Sequence, residues 1–173
     1  KTEKRRESGK ICYVGRIDEK KGIEHVLEAF KQVKKDVPEA RLEIVGGVKG
    51  SYWAELYYPK LLAKVQDVED IIIKKDVPEK VIIETFSTSR CMASYNPGEH
   101  FGIVPVEAMA AGCPPIVADG GGQRETVIEG ETGFLVKTPE EITIYMKKLL
   151  TDEKIFKSMS EKARKHAENF GRR

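Results

Sequence analysis

Cys91-Met92-Ala93-Ser94-Tyr95-Asn96-Pro97-Gly98-Glu99-His100-Phe101-Gly102-Ile103-Val104-Pro105-Val106-Glu107-Ala108-Met109-Ala110-Ala111-Gly112 passes from an apolar run, through a polar turn, into a run of small apolar residues. That order reads as strand, loop and helix. Residues 91–95 are predicted as a strand and 105–111 as a helix, stopped by Gly112 and Pro114. Pro105 suits the first helical position, where its missing N–H costs nothing. Val104 would then be the N-cap, and Val offers no side-chain acceptor. The opening amides are left without a local partner, and a phosphate is the natural one. Gly98 and Gly102 would let the backbone approach it closely.

The same alternation extends outward in both directions. On the N-terminal side, residues 11–14 form a β-branched run ended by Gly15. Ile23, Val26, Leu27, Phe30 and Val33 then follow helical spacing. Residues 42–45 read as a second strand closed by Gly46-Gly47. Trp53, Leu56, Tyr57, Leu61, Leu62 and Val65 mark a helix, kinked at Pro59. Residues 71–73 are a third strand, and Pro78 begins a helical segment through Val81, Ile82 and Phe86. On the C-terminal side, residues 116–118 are a strand and Gly120-Gly121-Gly122 leads into a short helix. Residues 134–136 are a sixth strand, and helices from Pro139 and Asp152 complete the chain. Alternating strands and helices imply an α/β fold, a Rossmann-like parallel sheet of about six strands with helices on both faces. In such a sheet the ligand crevice lies beyond the carboxyl ends of the strands. Gly15-Arg16, Gly46-Gly47, residues 96–104 and Gly120–Gly122 all fall there.

With 173 residues, 40% hydrophobic and 34% charged, the chain suits one globular domain. It can bury roughly 70% of the surface its unfolded form exposes. Residues 1–10 read as a linker and 11–173 as the ligand-binding domain. A net charge of +2 gives no reason to expect a nucleic-acid partner. Lys1, Lys4, Arg5 and Arg6 read as a solvated charged end, with a phosphate-contacting arm as the alternative. Cys12, Cys91 and Cys113 are odd in number and lack a CxxC pair, which excludes zinc and redox motifs. Each sits in or beside an apolar run, as a reduced buried thiol of the cytosol would. No apolar stretch approaches the roughly 18 residues of a membrane helix, and the charged start carries no signal-peptide core.

Four loops hold the residues able to do chemistry. Arg16 comes straight off a strand, and its planar guanidinium suits bidentate binding of a diphosphate. Lys21 aims a second cation at the same place, and each charged hydrogen bond is worth roughly 1.5–3 kcal/mol. Lys20 reads as part of a solvated turn. Glu107 falls near the third helical position, where the helix dipole alone would reward it by about 0.3–1 kcal/mol. Glu99, flanked by Gly98 and Gly102, has no such role, and both carboxylates suit acceptance of sugar and ribose hydroxyls. Gly120-Gly121-Gly122-Gln123-Arg124-Glu125 is a second uncapped turn, for which close packing is the competing explanation. Gly46-Gly47-Val48-Lys49-Gly50-Ser51 is neither GxGxxG nor Walker A, against dinucleotide oxidoreductases and P-loop ATPases. His25 and His166 read as surface residues, and His100 lacks the Asp or Ser partner of a triad.

Together these motifs resemble the family 4 (group 1) retaining glycosyltransferases of GT-B fold, from about Lys10 to about Phe170. Gly15-Arg16…Lys21-Gly22 is similar to that family's GR…KG phosphate loop. Glu99 and Glu107 match its E-x7-E signature, and Gly121-Gly122-Gln123-Arg124-Glu125 its GGxxE turn. The resemblance implies the C-terminal half of a GT-B enzyme, binding a nucleotide-sugar donor without a metal or other cofactor. Arg16 and Lys21 would stabilise the departing nucleoside diphosphate, Glu99 would contact the sugar, and Glu107 would hold the ribose. Gly15, His100 and the backbone of Phe101, Gly102 and Ile103 would line the site, with Val77 near the base. Lys75 departs from the family, which often has Gly there. The acceptor-binding N-terminal domain would lie outside these residues, leaving the fragment inactive alone. His100 and Ile103 resemble mannosyltransferases acting on lipid-linked oligosaccharides, so GDP-mannose is the expected donor and a UDP-hexose the alternative. A glycan or lipid-linked acceptor would place the parent enzyme in the cytoplasm, with the inner membrane face open to it. A nucleotide-sugar-binding module without transferase activity is the competing class.

Overall fold

The computed structural model describes residues 6–171. Lys1, Lys4 and Arg5 of the basic start lie outside the described residues. Six parallel strands form one sheet in the order β3-β2-β1-β4-β5-β6. They are β1 (Lys10–Val14), β2 (Arg41–Gly46), β3 (Ile71–Lys75), β4 (Cys91–Ala93), β5 (Pro115–Ala118) and β6 (Phe134–Val136). The helices between and after them are α1 (Ile23–Asp36), α2 (Tyr52–Val65), α3 (Glu79–Thr88), α4 (Ile103–Ala110), α5 (Gln123–Thr126), α6 (Glu141–Thr151) and α7 (Glu153–Ala167). This is the doubly wound order, with its switch point between β1 and β4.

Strand periodicity sorts the core into two layers. Ile11 and Tyr13 of β1 face a layer shared with α1, α2 and α6, where Leu42, Ile44 and Ile116 also sit. Cys12 and Val14 face the other way, towards Phe86 of α3, Met109 of α4 and Ala163 of α7. The five apolar residues at helical spacing in α1 are all buried, as their stripe requires. All three cysteines are free and buried, and burial pushes the Cys91 thiol up.

Two strand ends are corrected. β4 ends at Ala93 rather than at residue 95, because Tyr95 turns its N–H to the carbonyl of Lys21, at 3.3 Å. The helix expected around Pro59 is α2, which contains Pro59 at an exposed position. β3 extends to Lys75 because its register with β2 carries on to the pair Gly46 and Lys75. Within the stretch read as linker, Arg6 donates to the carbonyls of Phe86 at 2.8 Å and Ser89 at 2.9 Å, and to that of Ala111. Among the described residues no helix is long and apolar enough to cross a membrane.

One buried charge cluster spans the sheet beneath α3. Glu43 of β2 is only 7% exposed and meets Lys10 at 3.3 Å, Lys74 at 3.1 Å and the Thr85 hydroxyl at 3.0 Å. Burial pushes the Glu43 carboxyl up, but the Lys74 and Lys10 charges and Thr85 outweigh it and hold it below 4.5. A carboxyl held low in the folded state contributes stability above its unfolded value, and that contribution fades as pH falls through the folded one. Glu43→Gln should therefore cost about 2 kcal/mol at neutral pH, since it takes from the buried Lys10 ammonium its nearer carboxylate and leaves only Glu7, at 3.9 Å. In denaturant titrations the gap between wild type and variant should shrink below pH 4.5. A pH-independent gap would refute the electrostatic account.

Candidate functional site

A cleft of about 630 Å³ opens over the carboxyl ends of β1 and β2, between α3 and α4. Gly15 and Arg16 line it from β1, Gly46 and Gly47 from β2, and Val104, Glu107, Ala110 and Ala111 from α4. The Arg16 loop is stapled in place by its backbone. Gly15 donates to Val45 at 3.1 Å, Ile17 donates to Gly47 at 3.0 Å, and the Tyr13 hydroxyl donates to the Arg16 carbonyl at 2.5 Å. A side chain on Gly46 would overlap the Gly15 carbonyl, so the two strand ends can meet only with glycine there. The result is a fixed backbone carrying an exposed guanidinium that makes no ion pair among the described residues.

Lys21 and Glu99 lie on the other side of the switch point. The Lys21 ammonium meets a Glu99 carboxylate oxygen at 3.1 Å, with the two side chains about a third and a quarter exposed. Two elements aim this pair. Gly22, at φ 79°, lets the loop touch the Tyr95 carbonyl, where any side chain would collide. The second is the glycine turn before α5. Gly121 and Gly122 pack against the carbonyls of Glu99 and His100, and the Gly122 N–H donates to Glu99 at 2.8 Å. Close packing, the competing explanation for these glycines, is what the geometry supports, and what it packs is the Glu99 loop.

The start of α4 corrects the reading from Pro105. Gly102, left-handed at φ 63°, is the N-cap, and the helix begins at Ile103. Pro105 is therefore third in the helix, still within the first turn, where no intrahelical bond is lost. The cap makes no side-chain hydrogen bond, so the opening amides lack the usual capping acceptor, as expected. Glu107 becomes the fifth helical residue rather than the third, and the first turn holds no acid. The dipole falls off within that turn, which removes the stability argument for Glu107 and leaves its place in the cleft.

Other expected residues sit apart from the cleft. Val77 packs partly buried against the second core layer. Lys75 lies over the Tyr58 ring at 4.8 Å. Between them, Asp76 takes a left-handed φ of 52° and accepts the Val48 and Lys49 amides at 2.9 and 3.1 Å. Those two amide bonds hold its carboxyl below the usual range, and they tie down the loop after β2. His100 is exposed and leans on Phe101, with ring centroids 6.2 Å apart, and Ile103 is exposed at the rim. The α3 wall, formed by Glu79, Ile82, Ile83 and Phe86, was missed as part of the site. Its i, i+3, i+4, i+7 spacing was visible, but such a stripe ordinarily means core. Among the described residues, no group of three or more His, Cys, Asp or Glu is placed to hold a metal.

This fold is that of a Rossmann-like α/β domain with its cleft at the carboxyl edge of the sheet, and comparison with known proteins gives its family. The chain belongs to the family described as Glycosyl transferases group 1, which it matches over residues 1–166. A D-inositol 3-phosphate glycosyltransferase of Streptomyces avermitilis is 32% identical over 168 residues, covering 92% of this chain and 36% of the relative. The C-terminal domain of a group 1 glycosyl transferase, LpcC of Francisella tularensis, superposes with a TM-score of 0.78. It is 20% identical and the match covers 97% of this chain and 88% of that one. The pneumococcal O-GlcNAc transferase GtfA, solved with UDP and GlcNAc, gives a TM-score of 0.76 at 20% identity, over 96% and 33% of the two chains. At such identities the structural likeness shows the fold, that of the C-terminal Rossmann-like half of a GT-B protein. The chain spans about a third of the length of the full relatives.

If Glu107 owes its place to ligand rather than to the helix, removing it should leave the fold untouched. Glu107→Ala should change the unfolding free energy by no more than about 0.5 kcal/mol in chemical denaturation. A loss above about 1 kcal/mol would restore a structural role.

Proposed function

We propose that this chain is the donor-binding domain of a retaining glycosyltransferase that takes the sugar of a UDP-hexose. The observation that carries the proposal is the shared cleft. An Arg16 guanidinium that makes no ion pair among the described residues and a Glu107 without a dipole role line one cavity beside a helix start without a side-chain cap. Arg16 and Lys21 meet the diphosphate. Charge grows there as the bond from the sugar to the phosphate oxygen breaks, and fixed cations at that point act on the transition state. The amides near Phe101, Gly102 and Ile103 add to the same field. Glu107 accepts the ribose hydroxyls, and Glu99 the sugar hydroxyls. Gly15 lets the phosphate approach the β1 loop, and Val77 stays on the base side. Lys21 serves both ends of the donor, neutralising Glu99 while it reaches for phosphate. Transfer itself falls to the parent protein, whose other domain supplies the acceptor, a glycan or a lipid-linked one.

GDP-mannose is corrected as the donor. The nucleotide named with the solved neighbours is UDP: the pneumococcal transferase was solved with UDP and GlcNAc, a TarM mutant with UDP, and Anabaena HepE with UDP-glucose. His100 and Ile103, which carried the mannose expectation, are both exposed and are not among the residues that line the cleft.

Calorimetric titration of UDP, UDP-glucose and UDP-N-acetylglucosamine tests the proposal, with GDP as the control. The uridine compounds should bind more tightly than GDP. Arg16→Ala should weaken UDP and both UDP-sugars about tenfold, the loss of one charge-assisted hydrogen bond. Its melting temperature should stay unchanged, because Arg16 is exposed. Undiminished affinity in this variant would remove the diphosphate assignment, and failure of every nucleotide to bind would remove the donor-domain reading.

A further inference from the structure

We infer that Gln123 is a positioning residue for Glu99, and through Glu99 for the hexose of the donor. The inference rests on the donor-domain reading above and deepens it. Gln123 opens α5, a helix of four residues that cannot be stable by itself. Its side chain is almost fully buried, at 2% exposure. A buried carboxamide costs free energy unless it is hydrogen-bonded, so its partners carry the explanation. Nε2 donates to the carbonyl of Ala118 at 2.6 Å, at the end of β5, and reaches the carbonyl of Asn96 at 3.5 Å. Both partners are acceptors only, so the amide nitrogen has to face them. One side chain thus bridges the sheet to the loop that carries Glu99.

From Asn96 the constraint passes directly to Glu99. The same Asn96 carbonyl accepts the Glu99 N–H at 3.1 Å. The Asn96 carboxamide turns over the loop, accepting from the Gly98 N–H at 3.2 Å and donating to the Glu99 carboxylate at 3.4 Å. On the opposite side the Glu99 carbonyl is held by the N–H of Gly122, the neighbour of Gln123. The carboxylate is therefore held by Asn96 and Lys21, and the backbone that carries it by the Asn96 carbonyl and the α5 turn. Gln123 is not among the residues that line the cleft of Arg16 and Glu107, and the Arg16 loop is held by β2 instead. Loosening Gln123 should disturb the end of the donor that Glu99 meets and spare the end that Arg16 and Glu107 meet.

The test compares wild type, Gln123→Met and Gln123→Glu by titration with UDP, UDP-glucose and UDP-N-acetylglucosamine, alongside amide hydrogen exchange. Met keeps the volume and removes the donor; Glu keeps the shape and turns an acceptor towards two carbonyls. UDP affinity should stay within about twofold, while the ratio of UDP-sugar to UDP dissociation constants rises about tenfold, the equivalent of about 1.4 kcal/mol. Exchange at the Gly122 amide should quicken, with β1 amides unchanged. Equal weakening of UDP and the UDP-sugars would show a merely structural role and overturn the inference, as would unchanged ratios in both variants. Failure of the wild type to bind any of the three would instead strike the donor-domain reading, and the inference with it.

Discussion

Between β1 and β4 two adjacent parallel strands send their chains to opposite faces of the sheet, β1 to α1 and β4 to α4. The loops that leave them must diverge, and the gap between them cannot be filled by either helix. Everything of functional interest is arranged around that divergence. Arg16 and Glu107 line one cleft beside it, and Lys21 pairs with Glu99 in the loops that leave the same two strands. The bond from the Tyr95 N–H to the Lys21 carbonyl keeps the two diverging loops in register.

A site built from loops needs something rigid behind it, and here the support is backbone against backbone. The loop from Pro97 to Phe101 rests on Gly120, Gly121 and Gly122, whose missing side chains leave room for its carbonyls. Gly46 does the same for Gly15. Such contacts position charged side chains without spending the charges on structure, and Arg16 at the cleft makes no ion pair among the described residues.

The two ends of the sheet contrast in how they treat charge. Glu43, buried under α3, is fully engaged by Lys10, Lys74 and Thr85. That cluster is structural, because a buried carboxylate must be paired and hydrogen-bonded. At the carboxyl ends of the strands, Arg16 makes no ion pair among the described residues and Glu107 lies outside the reach of the helix dipole. Charge left over after the fold is satisfied is the observation on which the proposed ligand site at that edge rests.

The sequence alone determined the order and kind of the six strands and seven helices, apart from a few residues at their ends. It also determined that Arg16, Lys21, Glu99 and Glu107 would stand at the carboxyl edge. Both follow from local physics, since alternation and helical spacing report which face of an element is buried, and the loops after parallel strands all lie at one edge. Boundaries escaped where a distant partner set them: β4 stopped early for Lys21, and α4 began at Ile103 because Gly102 before it can turn left-handed beside Gly122. Only the tertiary structure paired Lys21 with Glu99 across 78 positions, made α3 a wall of the cleft, and gave Gln123 the carbonyl of Asn96 to hold. The strand order and the close approach of glycine backbones decide those meetings, and neither is encoded in the spacing of any single segment.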